Sequence, residues 1–510
     1  MITVNEMITQ KIKVLPLGLL IIFLYLVVLF ADLMPMPLGN YATQRYLLLA
    51  FLGLVVVFLL IFLIRNEGLL IVKRLWPALL VSVSFIILAL PFNAAPFNWV
   101  EPGMYALFFL GFVLAGRFLK TVLKKEILVT GFVGISAVLA AFYGGITISV
   151  YLFAMSDGVT DLSAYIPWGF VNIRYWSHIA TWLLSLLPLA VLIGPLKDQR
   201  LWRFFIALGA ALWWWIVFLS SSRGTMLGVA FGVLLAALFI GRPSLPWLKV
   251  FARYLVYGAI AWLLLSVLIP YLLIDDVRIR SIKLHSSIRM FQLGETWRMS
   301  LVDLPFGMGP QSWLTHDIIT EDYRQSPKFG HPHNMYLMWA AEYGWLVVGA
   351  ILVLAGQAIR LFWRRKNELV AGDGSALPLA AFTASVSAAL LHAGVSAVFI
   401  APGSMLIGFL VLSVFWMLIS DDIPVPQNKL KTKRTMPALA VALVASVLCF
   451  FWLSQVQAYH AAMVNDKAFY SKNVPNGSLP RFWTHGNYPR HQSQMPQDGS
   501  IVEMHNEYPY

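Results

Sequence analysis

Thirteen apolar runs, each about as long as a helix needs to cross the hydrocarbon of a bilayer, set the terms on which this chain can fold. They lie near 14–34, 46–64, 76–93, 103–119, 127–155, 178–196, 202–219, 225–241, 251–274, 334–356, 377–397, 400–420 and 436–455. In a sequence of 510 residues that is 59% hydrophobic and 12% charged, with a mean hydropathy of +0.74, this pattern predicts an all-α, polytopic membrane protein of about 13 transmembrane helices. A transmembrane β-barrel would show short alternating segments instead, and none occurs. The single cysteine, Cys449, lies within an apolar run, so no internal disulfide can form.

The net charge of +13 does not point to nucleic acid, because there is no long basic block. Most of the 37 basic residues fall in alternate short loops, near 65–74, 117–125, 197–203, 242–253, 360–366 and 429–434, and at Lys11 and Lys13. Positive-inside bias assigns these loops and the N-terminus to the cytoplasm, and the C-terminus to the outside. The first run is followed by Asp32-Leu-Met-Pro rather than a small-residue cleavage site, so it reads as a retained helix and not a signal peptide.

The division expected is a transmembrane domain over 1–455 and an external tail over 456–510. Three external segments are long: about 156–177, 275–333 and the tail. A loop of about sixty residues exceeds ordinary connections and is functional or folded in its own right. Its first half mixes Arg278, Arg280, Lys283, Arg289 and Arg298 with Phe291, Trp297 and Leu301, which suits amphipathic helices on a membrane surface. A turn at 305–310 then ends the helical pattern. The tail, with Pro480, Pro489 and Pro496 and few aliphatic residues, is expected to be ordered only in part.

Polar groups gather at external helix ends. Ser220, Ser221, Ser222, Arg223 and Gly224 form one cluster; its guanidinium suits phosphate oxygens, or it snorkels as an interfacial arginine. Arg289 precedes Pro305-x-Gly307-x-Gly309, a turn with no strand before it to suggest a nucleotide loop. His331, His333 and Asn334 stand where the long loop becomes the tenth span, and a neutral imidazole there can serve as a general base. Two histidines one residue apart are too few for a metal site by themselves, with Asp317, Glu321 and Asp322 unplaced, so no metal is expected. Glu342 is nine residues on, about 180° away around the helix, so it should pair elsewhere in the bundle rather than with His333. Asn172, Arg174, His178 and His392 are further polar residues on the external side.

Four of these pieces occur in the order seen in O-antigen ligases: Phe170-Val-Asn172-x-Arg174, Ser222-Arg223-Gly224, Arg289 with Pro305-x-Gly307-x-Gly309, and His331-x-His333-Asn334-x-Tyr336-Leu337 followed by Glu342-Tyr343-Gly344. Over about 165–350 the chain resembles the O-antigen ligase family of bacterial inner-membrane glycosyltransferases. The resemblance implies a GT-C-like catalytic domain and an inverting transfer, without metal or cofactor, of a glycan from undecaprenyl diphosphate to an acceptor hydroxyl. It matches Arg223 and Arg289 to arginines that contact the diphosphate and His333 to the residue that activates the acceptor. His331 is a helper, and Ser222, Arg174, Asn172, Asn334 and Tyr336 line the substrate. The partners implied are the lipid-linked donor, membrane lipids and an acceptor, with lipid A-core favoured over a protein Ser or Thr or a growing glycan. The active site and C-terminus would be periplasmic. A transporter of lipid-linked oligosaccharide would place its polar groups near the midplane, whereas here they collect at one face.

Overall fold

The computed structural model describes residues 4–35, 41–67, 70–92, 99–159, 162, 165–170, 173–274, 277, 287–314, 316–326, 329–369, 376–421, 435–473 and 481–483. Among them there is no β-strand. The helices in chain order are α1 (Val4–Leu29), α2 (Tyr41–Glu67), α3 (Leu70–Ala89), α4 (Val100–Val122), α5 (Lys125–Ser156), α6 (Ile173–Leu183), α7 (Arg200–Leu219) and α8 (Arg223–Ile240). They continue with α9 (Leu245–Trp262), α10 (Ile269–Ile274), α11 (Ser287–Val302), α12 (Glu321–Arg324), α13 (Met335–Asn367), α14 (Ala376–Ala393), α15 (Pro402–Ile419) and α16 (Thr435–Asn473). A π-helical segment, Leu263–Leu268, joins α9 to α10, so the two form one passage.

Eleven helices among the described residues are long and apolar enough to cross a membrane, and α1 contributes a shorter apolar stretch, Leu15–Leu29. The chain is an all-α polytopic membrane protein. Helix α15 is buried along its whole length, as expected of a helix that is apolar on every side. By contrast, only 17% of the α9–α10 window is buried, so that passage lies at the periphery of the bundle.

The sixth predicted span, 178–196, is not a continuous helix. Helix α6 ends at Leu183, a 3₁₀ turn follows at Leu187–Val191, and Pro188 and Gly194 (φ +86°) mark the break. Non-helical backbone at membrane depth persists only where protein satisfies its polar groups. Here Ser385 Oγ donates to the Trp182 carbonyl, Trp247 Nε1 to that of Ser185 (2.9 Å), and Trp202 Nε1 to that of Ala190 (2.7 Å).

Helix α13 is also broken. Gly344 has φ +82°, ψ +165°, which uncouples its first nine residues from the long remainder. The loop 305–309 fills the gap: Met308 N donates to the Ala341 carbonyl (2.8 Å) and Gly309 N to that of Glu342 (2.9 Å). A Cβ at Gly344 would lie 2.1 Å from the Pro305 carbonyl oxygen, and one at Gly307 2.4 Å from the Gly344 nitrogen. Two glycine-containing motifs far apart in sequence are therefore the two halves of one contact.

Helix α11 is amphipathic, as expected, but it buries its polar face. Gln292, Glu295 and Thr296 are fully buried, while Met290, Trp297, Leu301 and Val302 face outward, a polarity suited to lipid. Glu295 organises the loop that follows, accepting from His316 Nε2 (2.8 Å), Ile319 N (2.7 Å), Thr320 N (2.8 Å) and the Thr320 hydroxyl. Burial alone would raise its carboxyl pKa, but these donors outweigh it and bring it to about 2. Residues 278–286 of the same expected amphipathic stretch lie outside the described residues.

The last described residues, 481–483, return to the core. Arg481 is fully buried, with Nη2 2.6 Å from Glu342 Oε2 and 3.3 Å from Glu101 Oε1. Its carbonyl accepts from Tyr41 OH (2.9 Å) and Arg45 Nη2 (3.1 Å), and Arg45 Nε donates to the Phe482 carbonyl (2.7 Å). Glu342 thus pairs with a residue 139 positions away, and α16 runs well past residue 455, where the sequence placed the end of the membrane domain.

Two predictions follow from this framework. Gly344→Ala should cost about 1–3 kcal/mol or more through backbone strain and the clash with Pro305, whereas Gly145→Ala, on a helix with nothing near its Cβ position, should be neutral; thermal unfolding in detergent compares them. Arg481→Ala should cost about 3–5 kcal/mol because it strands two buried carboxylates. Adding Glu101→Gln and Glu342→Gln to it should restore much of the loss, and a wild-type unfolding temperature for Arg481→Ala alone would show that the pairing does not form.

Candidate active site

At one end of the bundle, α6, α8 and α13 begin and α14 ends, and the polar residues singled out in the sequence meet there. Asn334 caps α13: its Oδ1 accepts from Leu337 N (3.0 Å), leaving the preceding His333 in the left-handed region at φ +57°. Tyr336 OH donates to the Leu390 carbonyl (2.6 Å) and ties the start of α13 to α14. Asn334 Oδ1 and the Tyr336 hydroxyl thus anchor the start of α13 next to His333.

Both histidines are buried, their rings 4.4 Å apart. His333 N donates to His331 Nδ1 (3.2 Å), and Arg174 Nη1, from the first turn of α6, donates to His333 Nε2 (3.2 Å). Since a guanidinium can only donate, His333 Nε2 is the acceptor, and the neutral ring carries its proton on Nδ1. That Nδ1 is buried and makes no hydrogen bond among the described residues. Burial, then the charges on Arg174, Arg481 and Arg289, hold His331 down to about 3. Burial, then His331, Arg174, Arg289 and His178, hold His333 well below the ordinary histidine value. Both rings are therefore neutral at physiological pH.

Arg289, on α11, reaches the same region from the long loop. Burial lowers its pKa, and the charge of Arg223 lowers it further, so two guanidinium groups stand close in a partly desolvated place. Arg223 opens α8 after a tight serine turn, in which Ser221 has φ +49° and the Ser220 and Ser222 hydroxyls are 2.7 Å apart. Gly224 then rests on the His392 ring, which a Cβ would approach to 2.3 Å. Arg174, Arg223, Arg289, His331 and His333 are thus brought into one electrostatic neighbourhood, with Ser222 beside Arg223. Asn172 lies outside the described residues.

Of the supports of this site, sequence singled out His392 and Gly224 but not Thr181, Thr225, Gly228, Gly232 or Arg481. Thr181 Oγ1 donates to Thr225 Oγ1 (3.0 Å) and lies 2.8 Å from His392 Nδ1, while Thr225 Oγ1 donates to the Ser177 carbonyl (2.8 Å). These bonds join α6, α8 and α14. Gly224, Gly228 and Gly232 make α8 smooth along one side, and Gly228 and Gly232 press on the Ala388 and Ala384 carbonyls of α14. That small-residue repeat every four positions is a readable signal for close helix packing in membranes. Arg481 is a further support, since its Nη1 donates to the Gly330 carbonyl (3.4 Å) next to His331; nothing around it in sequence marks it out.

Among the described residues no three His, Cys, Asp or Glu side chains are grouped to hold a metal ion. The buried carboxylates among them, Glu101, Glu295 and Glu342, are all engaged by the contacts above. What the site offers is fixed positive charge, neutral imidazole and hydroxyl groups: an arrangement that can neutralise an anionic group and accept a proton.

No curated protein and no solved structure matches the chain. Residues 207–354 match the family model of the O-antigen ligases. That stretch contains Ser222, Arg223, Arg289, His331, His333, Asn334 and Tyr336, together with both halves of the contact at Gly344; Arg174 precedes it. Over that stretch the chain is similar to the O-antigen ligases.

Proposed function

We propose that the protein is an inverting, metal-independent glycosyltransferase that moves a glycan from undecaprenyl diphosphate to an acceptor hydroxyl at the outer face of a bacterial inner membrane. The observation that carries this reading is the pair of buried neutral histidines set among Arg174, Arg223 and Arg289. Such a site suits a leaving group that gains negative charge on phosphate oxygens while a hydroxyl loses its proton.

Arg223 and Arg289 bind the diphosphate and stabilise the charge that develops as the anomeric bond breaks. The acceptor oxygen attacks the anomeric carbon from the face opposite the diphosphate. Its proton passes to His333 Nε2, and the electron pair of the broken carbon–oxygen bond leaves with the diphosphate. In the free protein Arg174 occupies His333 Nε2; a bound diphosphate attracts that guanidinium and frees the nitrogen to act as base. Asn334 and Tyr336 position His333, and His331 fixes its backbone. Among the described residues, the buried carboxylates Glu101, Glu295 and Glu342 are held in ion pairs and hydrogen bonds, which favours a single displacement that inverts the anomeric centre over a retaining double displacement. The preferred acceptor is a sugar of lipid A-core.

The test is transfer by purified protein from a defined undecaprenyl-diphosphate glycan, with lipid A-core, a pilin-like protein and free carrier-linked glycan offered separately. Product on lipid A-core alone identifies a ligase; product on either of the others identifies an oligosaccharyltransferase or a polymerase.

His333→Ala should lower turnover by about 10²–10⁴ and Arg289→Gln by about 10²–10³. Removing Arg289 also relieves its repulsion with Arg223, so that variant should unfold at the wild-type temperature or above it. Near wild-type turnover of His333→Ala would refute its role as base. Because burial and neighbouring cations keep His333 neutral well below its ordinary pKa, kcat/KM should stay level as pH falls from 8 through 6.5 and drop only in more acid solution. A fall centred near 6.5 would mean that the base titrates as an exposed histidine.

A further inference from the structure

Far from this site, at the end of the bundle that carries the basic loops, a cavity of about 690 Å³ opens between α7 and α9. Arg200 and Arg203 from α7 and Arg253 from α9 line it, and all three are exposed. Deeper in, the walls become apolar, with Ala207, Ala211 and Ala261 among them. No acidic side chain is among the described residues that line it.

The dimensions match one leaflet. From Arg200 to Ala211 the α-helical rise is about 16 Å, and from Val250 to Ala261 it is about the same. Half the thickness of a hydrocarbon core is about 15 Å. The groove therefore runs from a three-arginine mouth at the membrane surface to an apolar end near the midplane. Phe204, Leu208 and Ile260 beside it are exposed, so it opens sideways to the surrounding lipid.

We infer that this groove binds an anionic phospholipid of the leaflet that positive-inside bias assigns to the cytoplasm, with the phosphodiester headgroup among Arg200, Arg203 and Arg253 and an acyl chain along α7 and α9. A basic concavity between membrane helices is the form in which such headgroups are held. The charge at the mouth selects phosphate-bearing anionic lipid over zwitterionic lipid. The apolar length selects a lipid over a free phosphate ester. This assignment rests on the groove alone and stands or falls independently of the glycosyltransfer chemistry.

The test is native mass spectrometry of delipidated, detergent-solubilised protein titrated with phosphatidylglycerol and with phosphatidylcholine of matched chains. Phosphatidylglycerol should be held more tightly than phosphatidylcholine. Arg200→Gln, Arg203→Gln and Arg253→Gln should each weaken it about fivefold, and the triple variant on the order of a hundredfold. Arg242→Gln/Lys249→Gln removes two charges from the same end outside the groove and should leave the affinity unchanged. Ala207→Trp should fill the groove and weaken both lipids, with its unfolding temperature confirming that it is folded. A preference for phosphatidylglycerol that survived the triple variant would overturn the assignment. So would an equal loss in the Arg242/Lys249 variant, which would reveal only a general positive surface. Displacement of phosphatidylglycerol by an equal concentration of glycerol 3-phosphate would overturn the lipid as occupant.

Discussion

The break in α13 at Gly344 is the constraint on which the arrangement of the histidine-bearing end of the bundle depends. A continuous helix would have no exposed carbonyls at Ala341 and Glu342, and the loop 305–309 would have nothing to dock on. With the break, the loop after α11 is pinned to the same nine residues whose first turn positions His333. Arg481 adds a second tie to that short helix through Glu342 and reaches the backbone next to His331. The long loop bearing Arg289 and the helix start bearing His333 are thereby fixed to one another by backbone hydrogen bonds and by a buried ion pair.

Within that frame, charge is distributed to suit an anionic ligand rather than the free protein. Among the described residues, buried carboxylates sit in contacts with Arg481 or with the His316–Thr320 loop, and Arg289 is set near Arg223. Holding like charges together in a partly desolvated place costs free energy, and the diphosphate proposed as ligand would offset that cost. Burial, and then the same cations, keep His331 and His333 unprotonated, which supplies the base form but weakens it as a base. Arg174 links the two effects, because the group that occupies His333 Nε2 is itself drawn by phosphate.

Much of this was legible in sequence because it rests on periodicity and charge. Apolar length marked the spans, and of the polar groups read at helix ends Arg174 reaches His333. Helical phase correctly directed Glu342 away from His333. Its partner was unreadable, since Arg481 lies in a polar, proline-punctuated stretch whose burial depends on Tyr41 and Arg45 of α2. The segment 178–196 read as one helix because its apolar character continues through Leu183–Leu192 with only Ser185 between, and hydropathy does not record that the helix stops at Leu183 and that tryptophan side chains satisfy the backbone beyond it. Asn334 and Tyr336 were legible as polar groups at a helix start, but not their bonds to Leu337 and Leu390, because a residue type does not show which partner it takes.

The central claim is a single displacement at the anomeric carbon, driven by arginine-held diphosphate and a histidine base, with no carboxylate nucleophile. Nuclear magnetic resonance of the newly formed linkage, compared with the donor's anomeric configuration, tests it most directly. Inversion is the result that this arrangement of residues predicts; retention would require a covalent glycosyl intermediate and would contradict it.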